Sequence, residues 1–282
     1  MNIQTTDTIT YRPVHEGDIP AAHALTQAVR WPHRIEDWQA VVRLGTGFAA
    51  EEHGALVGTA LWWAQGEHQA SLGMVIVSSA HQGRGIGREL MQRVLQQTGT
   101  RHTLLIATPA GQPLYERLGF VATGTIHQHQ GTMQAIAPAG GGHVRLAEPA
   151  ELGILIDLAN RGTGRSRDAI VKQLAQAGEA AVLERDGALV GFSIMRRFGR
   201  GHAIGPLVAP DADGARALVA FWSGPYAGTF VRVDVTGEAG LGPWLEQAGL
   251  AQVDSGVAMA RNGEPRHDAA LQQYAIVNQA LC

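Results

Sequence analysis

A glycine-rich loop is the part of the sequence best suited to bind a charged ligand. It follows an apolar, β-branched run and carries three glycines at alternate positions, Gly83, Gly85 and Gly87. Glycine permits positive φ, so successive main-chain N–H groups of such a loop can turn toward one concavity. A helix after the loop adds unpaired N–H groups and the positive end of its dipole. The spacing predicts a pyrophosphate site, to which Arg84 and Arg88 can add charge.

A strand before the loop and a helix after it must hold this site in place. The apolar pattern predicts a strand over 71–77 and a helix over 87–97. Strands cluster early in this half of the chain and then alternate with helices, which is typical of an α+β fold with a mixed, mostly antiparallel central sheet flanked by helices. The other predicted elements are helices over 22–29 and 112–118 and strands over 47–51, 56–63, 103–107 and 120–129.

The chain repeats itself once. The run Gly-Ala-Leu-Val-Gly occurs at 54–58 and again at 187–191. Between the copies, residues 138–142 read Pro-Ala-Gly-Gly-Gly, a composition typical of a flexible link. We therefore predict a front half over 1–137, a linker over 138–143 and a rear half over 144–282.

Composition excludes several classes of function. The chain has 22 Lys and Arg against 25 Asp and Glu, a net charge of −3, so it lacks the basic excess of non-specific nucleic-acid binders. The single cysteine, Cys282, has no partner for a disulfide, which fits a cytoplasmic location. No apolar run is long enough for a membrane helix, and we expect no membrane partner. His127 and His129 share a strand face without a third ligand nearby, so we expect no metal site.

Two motifs together resemble one known family. Residues 82–87 read Gln-Gly-Arg-Gly-Ile-Gly, and residues 114–120 read Leu-Tyr-Glu-Arg-Leu-Gly-Phe. The pair resembles the GNAT superfamily of acyl-CoA-dependent N-acyltransferases over about residues 10–130. The stretch 107–111 is similar to GNAT proteins in tandem with a second, YitH-type GNAT-like domain. The resemblance implies two GNAT-like domains, of which the front one is catalytic.

The resemblance also implies roles for individual residues. Acetyl-CoA would be the acyl donor, with its pantetheine arm paired to the strand at Val75 and Val77. Tyr115 would protonate the departing CoA thiolate. The pyrophosphate would be bound by Gln82, Gly83, Arg84, Gly85, Ile86, Gly87 and Arg88.

The acceptor amine leaves a weaker signal. Trp31, His33 and Glu36 lie between the first helices, in the stretch that shapes the acceptor site in GNAT proteins. A Trp ring can bind an apolar or cationic group, although core packing explains a tryptophan as well. For His33 and Glu36, an ordinary loop position is favoured over the role of base.

The rear half lacks the parts of the front site. Its counterpart of the glycine loop, residues 208–215, keeps one glycine and gains two carboxylates that would repel a pyrophosphate. Leu245 stands at the tyrosine position. We predict a degenerate GNAT-like copy, with a basic, solvated hairpin end at 196–200 and a tail, 274–281, whose apolar spacing predicts a helix docked on a sheet.

The favoured function is direct transfer of an acetyl group from acetyl-CoA to a primary amine of a small molecule, by a monomer or homodimer. Two alternatives stay open at this point. One is an acyl-CoA-binding sensor without catalysis, and the other is a protein N-acetyltransferase.

Overall fold

The computed structural model describes residues 9–137, 140–263 and 265–282, so residues 1–8 of the predicted front half and 138–139 of the predicted linker lie outside the described residues. The front half contains β1 (Thr10–Pro13), α1 (Ile19–Ala28), α2 (Ile35–Leu44), β2 (Thr46–Glu52), β3 (Ala55–Ala64), β4 (Gln69–Val77), α3 (Ile86–Thr98), β5 (His102–Ala107), α4 (Gln112–Arg117) and β6 (Val121–Thr132). The rear half contains β7 (His143–Leu146), α5 (Leu152–Thr163), α6 (Asp168–Ala177), β8 (Gly178–Arg185), β9 (Ala188–Phe198), β10 (Gly201–Ala209), α7 (Ala212–Ser223), β11 (Phe230–Thr236), α8 (Gly242–Gln247), β12 (Ala251–Arg261) and β13 (Gln272–Ala275).

The order of elements repeats from one half to the other, as the duplicated sequence predicts. The repeated Gly-Ala-Leu-Val-Gly run opens β3 and β9 in the same way. Its first glycine follows a residue that also has positive φ: His53 at 50° before Gly54 at 79°, and Asp186 at 51° before Gly187 at 76°. Two successive positive φ values form the turn that matches the twist of a two-residue hairpin. The repeat therefore preserves the same two-residue hairpin turn in both halves.

One continuous sheet runs through both halves. Its strand order over the described residues is β1-β2-β3-β4-β5-β12-β6-β11-β13-β10-β9-β8-β7. Only β4 with β5 and β10 with β11 are parallel pairs, and the other neighbours are antiparallel. The predicted mixed, mostly antiparallel sheet with flanking helices is confirmed.

The two halves exchange their last long strands. Rear strand β12 lies between β5 and β6, where it pairs Val257 with Ala107 and Arg261 with Thr103 of β5. Front strand β6 pairs in turn, through Ile126 to Thr132, with the whole length of rear strand β11. The sheet is therefore not divided at the linker, and the boundary at 138–143 stays a prediction.

Four helices form a shared layer between the halves. Buried side chains of α1, α2, α5 and α6 join one core, which includes Trp38, Leu155 and Val171. On the opposite face of the front sheet, Leu90 of α3 and Tyr115 of α4 join a separate core. None of the helices in the described residues is long and apolar enough to cross a membrane.

The tail is a strand and a turn, so the predicted helix over 274–281 was wrong. Residues 272–275 form β13, which pairs with β10 on one side and meets β11 at Val235 on the other. The apolar residues are buried because the tail enters the sheet and then packs between the halves. Burial on all sides produces a continuous apolar run, which periodicity alone cannot distinguish from a buried helix.

Candidate functional site

The parallel strands β4 and β5 separate soon after they meet. They pair at only three positions, the last of which joins Ser71 to Leu104. Beyond it, the outer edge of β4 stays paired with β3 as far as Val77, and β5 stays paired with β12 as far as Ala107. No described strand lies between their facing edges, which leaves a gap whose main-chain groups can pair with an extended ligand.

A β-bulge marks the closed end of this gap. In the β3–β4 ladder, Thr59 faces Ile76 but Leu61 faces Gly73, so β4 carries one extra residue. Met74 within the bulge has a φ of 52°, unusual for a residue with a side chain. Bulges of this kind re-aim backbone groups and are common beside active sites.

The glycine loop lies at the other end of the gap, between β4 and α3. Gly83 and Gly85 have φ values of 78° and 80°, and a Cβ on either would meet nothing within 4 Å. Gly85 caps α3 without a side-chain hydrogen bond. In the described part of the chain, the N–H groups of Ile86 and Gly87 have no protein acceptor. The loop therefore presents free donors at the positive end of a helix, which suits a phosphate.

Charged side chains around the loop are already connected to one another. Arg84 donates a 2.6 Å hydrogen bond to Glu52, whose other oxygen lies 2.8 Å from His81 Nε2. The Arg84 bond is the main reason that the pKa of Glu52 falls to about 2. Arg88 is exposed on the first turn of α3. Arg84 thus lies at the loop with its charge paired to Glu52, while Arg88 is exposed at the surface.

Tyr115 of α4 lies in the core that α3 covers. Its ring packs edge-on against Phe120, with the centroids 6.1 Å apart, and a Cβ on Gly111 would come within 3.0 Å of it. Burial raises the pKa of Tyr115 to about 12. No described residue hydrogen-bonds its hydroxyl group. The phenol therefore stays protonated near neutral pH and keeps a donor for a ligand.

The equivalent site of the rear half is filled by the protein itself. Strands β10 and β11 also pair at three positions and then part, but β13 occupies the space between them. Asp211 caps α7 by accepting a 2.8 Å hydrogen bond from the Gly214 N–H, and Arg185 pairs with the same carboxylate. Leu245 at the tyrosine position is fully buried. Strand edges and helix donors that stay free in the front half are used internally here.

The predicted acceptor residues come together in one groove. Trp31, His33 and Glu36 line a solvent-open groove of about 830 Å³. Trp31 and His33 lie at the turn between α1 and α2, but Glu36 is in the first turn of α2, so its expected loop position was wrong. His33 is half-buried, and its Nδ1 has no protein partner among the described residues. Arg30, Arg34 and Arg200 contribute positive charge to the walls, and Glu36 contributes a carboxylate.

The rear half supplies one side of this groove, which sequence reasoning missed. Phe198 packs edge-on against His33 with centroids 5.5 Å apart. The expected solvated hairpin end at 196–200 was partly wrong, because Arg196 is buried and donates hydrogen bonds to the carbonyl oxygens of Gly205 and Val277. Arg197 and Arg200 are exposed as expected. Only the aromatic residue within the basic run hinted at a packed surface.

Burial keeps His33 neutral. Desolvation is the main cause that lowers its pKa to about 4, and Asp37 opposes the shift. A neutral imidazole can accept a hydrogen bond from an amine in the groove, but its low pKa makes it a weak base.

The His33 shift predicts a loss of stability in acid. An unfolded histidine binds its proton near pH 6.5, so between pH 6.5 and 4 the unfolded state holds the extra proton and folding weakens as the pH falls. We expect the free energy of unfolding to drop by roughly 2 kcal/mol more in the wild type than in His33→Gln across this interval. Urea denaturation at pH 7 and pH 4.5 measures the difference. Replacement of the exposed His143 by Gln is the control and should leave the wild-type drop unchanged.

No metal cluster is found in the described ranges: no three His, Cys, Asp or Glu side chains come close enough together to hold an ion.

Comparisons with known proteins agree with the fold. Residues 25–134 and residues 155–275 each match a model described as an acetyltransferase (GNAT) domain. The chain is 27% identical over 219 residues to the uncharacterized N-acetyltransferase YitH of Bacillus subtilis (strain 168), which covers 75% of this chain and 76% of that protein.

Solved structures extend the likeness in fold to the whole chain. A putative acetyltransferase from Pyrococcus horikoshii superposes with a TM-score of 0.81 at 20% identity, over 100% of this chain and 98% of that one. A tandem GNAT protein from the clavulanic acid biosynthesis pathway gives a TM-score of 0.62 at 13% identity, over 92% and 100%. With both halves matched and a strand exchange that makes them one sheet, the chain belongs to the GNAT acetyltransferase family and carries two such domains in tandem.

Proposed function

We propose that the front half binds acetyl-CoA in the gap between β4 and β5 and transfers the acetyl group directly to a primary amine of a small molecule. One contrast carries the proposal. The front gap and the start of α3 keep their main-chain groups free, whereas the rear half fills the same positions with β13 and Asp211. Free donors at a helix N-terminus suit the pyrophosphate, and the free strand edges suit the pantetheine arm.

Tyr115 is the residue we assign to the leaving group. A phenol with a pKa of about 12 stays neutral at pH 7, and complete transfer of its proton to a thiolate with a pKa near 8.5 is unfavourable. Its contribution is a hydrogen bond that strengthens as negative charge develops on sulfur. The CoA thiolate can then take a proton from solvent after it leaves.

The groove at the α1–α2 turn is our candidate for the acceptor. Trp31 offers an aromatic face and Glu36 a carboxylate, which together suit a protonated amine before it loses its proton. Helix α1 packs on β3 and β4, so the same helix that ends at the groove also lies against the strand that bounds the gap. Neutral His33 can orient the amine once it is deprotonated.

Release of free thiol from acetyl-CoA tests the proposal. The full chain is incubated with acetyl-CoA and a panel of amines, and thiol is measured over time, while calorimetry gives the affinity for acetyl-CoA. We expect binding together with turnover on at least one small amine. Binding without turnover on any amine would favour the sensor, and absence of binding would refute the proposal.

A protein amine is the second candidate acceptor, favoured by one observation. The groove is open to solvent along its length rather than enclosed, so it can admit an amine carried on a larger molecule. Peptides with a free N-terminus or a single lysine therefore belong in the same panel. Turnover of peptides in preference to small amines would select this alternative.

The glycine loop gives a sharper test of the cofactor site. In Gly85→Ala, a residue with a side chain must adopt a φ near 80°. This conformation costs about 1–2 kcal/mol, or the loop shifts to avoid it. We expect the affinity for acetyl-CoA to fall about tenfold or more, measured by calorimetry. Gly187→Ala is the matched control, because Gly187 has a φ of 76° and equally open surroundings in the rear half. If both variants bind acetyl-CoA like the wild type, the loop does not hold the pyrophosphate.

A further inference from the structure

The tail of the rear half also reaches the front half. After β13 it crosses to β4, where Ala280 lies directly on Gly73. A Cβ on Gly73 would come within 2.9 Å of Ala280 Cα and 3.1 Å of its Cβ, so no side chain fits between β4 and the tail. The tail therefore covers β4 at the bulge.

Side-chain hydrogen bonds fix the tail at this place. Gln65 Nε2, just after β3, donates to Ser71 Oγ at 2.8 Å and to the Leu281 carbonyl oxygen at 3.3 Å. Buried Arg167 donates to the same carbonyl oxygen at 2.9 Å. Asn278 Oδ1 accepts hydrogen bonds from the N–H groups of Ala280 and Leu281 at 3.0 and 2.9 Å, which forms a tight turn. The position of Ala280 is thus determined by contacts with both halves.

This place is the closed end of the front gap. Pairing of β4 with β5 stops at Ser71 and Leu104, so the gap begins beside Gly73. On the α3 face, Leu72 and Leu105 are buried in the core beneath it. Ala280 covers the opposite face. A group that reaches the closed end therefore meets strand backbone ahead of it and packed side chains on both faces.

An acyl-CoA whose pyrophosphate lies on the glycine loop would bring its acyl group to this end. From Val77 to Gly73 the strand is roughly 13 Å long, a length that an extended pantetheine arm spans. We propose that Ala280 limits the length of the acyl chain, so that the site takes an acetyl group and rejects longer ones. This inference rests on the proposed function, because it requires an acyl-CoA in the front gap.

Binding affinities for a series of acyl donors test the inference without an acceptor. Calorimetry on the full chain compares acetyl-CoA with propionyl-CoA in the wild type and in Ala280→Gly, which removes the methyl group that faces Gly73. One methylene in a packed apolar site changes affinity about tenfold or more. We expect the wild type to prefer acetyl-CoA by roughly that factor, and Ala280→Gly to bring the two affinities within about threefold.

Ala275→Gly is the matched control. It removes a methyl group from the same tail, but within the rear gap, where Ala275 pairs with Leu207. It should keep the wild-type preference, even if it loosens the tail. Equal affinities for both donors in the wild type, or the same change in both variants, would overturn the inference while leaving the proposed function intact. Absence of binding for every acyl-CoA would refute the proposed function instead.

Discussion

Residues 1–137 produced alone are expected to lack a cooperative unfolding transition. Strand β12 comes from the rear half and supplies the partner of β5 along Thr103–Ala107. Without it, the edge of β5 is unpaired, and β6 loses its partners on both sides, β12 and β11. Leu105 of β5 also loses Met259 of β12, with which it shares a buried core. Circular dichroism during heating is the measurement, and we expect a broad signal without a midpoint.

Co-production of the two halves is the control for this truncation. A chain cut within the predicted linker keeps β12 and β6 available to each other, so the two pieces should assemble and unfold together near the temperature of the intact chain. A front half that unfolds cooperatively alone and binds acetyl-CoA would contradict the expectation. It would mean that β6 closes against β5 directly.

Tyr115→Phe is expected to reduce kcat on the order of 100-fold, the lower range for loss of a hydrogen bond to a charge that develops in the transition state. The ring and its packing against Phe120 remain, so affinity for acetyl-CoA should change by less than about threefold. Because burial raises the pKa of Tyr115 to about 12, the wild-type rate should not fall between pH 8 and pH 10 through ionisation of this phenol. Initial rates of thiol release across this range measure kcat and its pH dependence, and calorimetry measures the affinity for acetyl-CoA.

Tyr274→Phe is the matched substitution in the rear half. Tyr274 is buried in β13, within the filled gap, and should be silent in catalysis. If Tyr115→Phe and Tyr274→Phe have equal kcat values, Tyr115 takes no part in the reaction and is a packing residue. A large fall in acetyl-CoA affinity in Tyr115→Phe would instead indicate a role in binding.

Local sequence patterns predicted most elements of the front half, although they gave no range for β1 or α2. Hairpin turns such as His53-Gly54 and the strand–loop–helix around Gly85 depend on residues close together in the chain, where turn chemistry and periodicity are direct signals. Trp62 and Trp63 point to opposite faces as alternation requires: Trp63 donates a hydrogen bond to the Val41 carbonyl oxygen, and Trp62 to Gln97. Elements of this kind are specified locally.

The arrangement of the two halves could not be predicted in the same way. Strand β12 is apolar enough to complete the sheet of either half, and its own residues do not indicate which strand it pairs with. The contact of Phe198 with His33 and the contact of Ala280 with Gly73 join residues more than 160 positions apart. Such contacts are selected by burial in the finished core, for which a single sequence carries no periodic signal.

Because the two halves exchange β6 and β12, the folding of each half depends on the other. In the rear half, β13 and Asp211 occupy the positions that stay free in the front half, yet deletion of the rear half would remove the middle of the sheet that supports the front one. We therefore expect the stability of the front half to depend on the fit of β12 between β5 and β6. Inheritance of the pair as a single unit follows from this interlock.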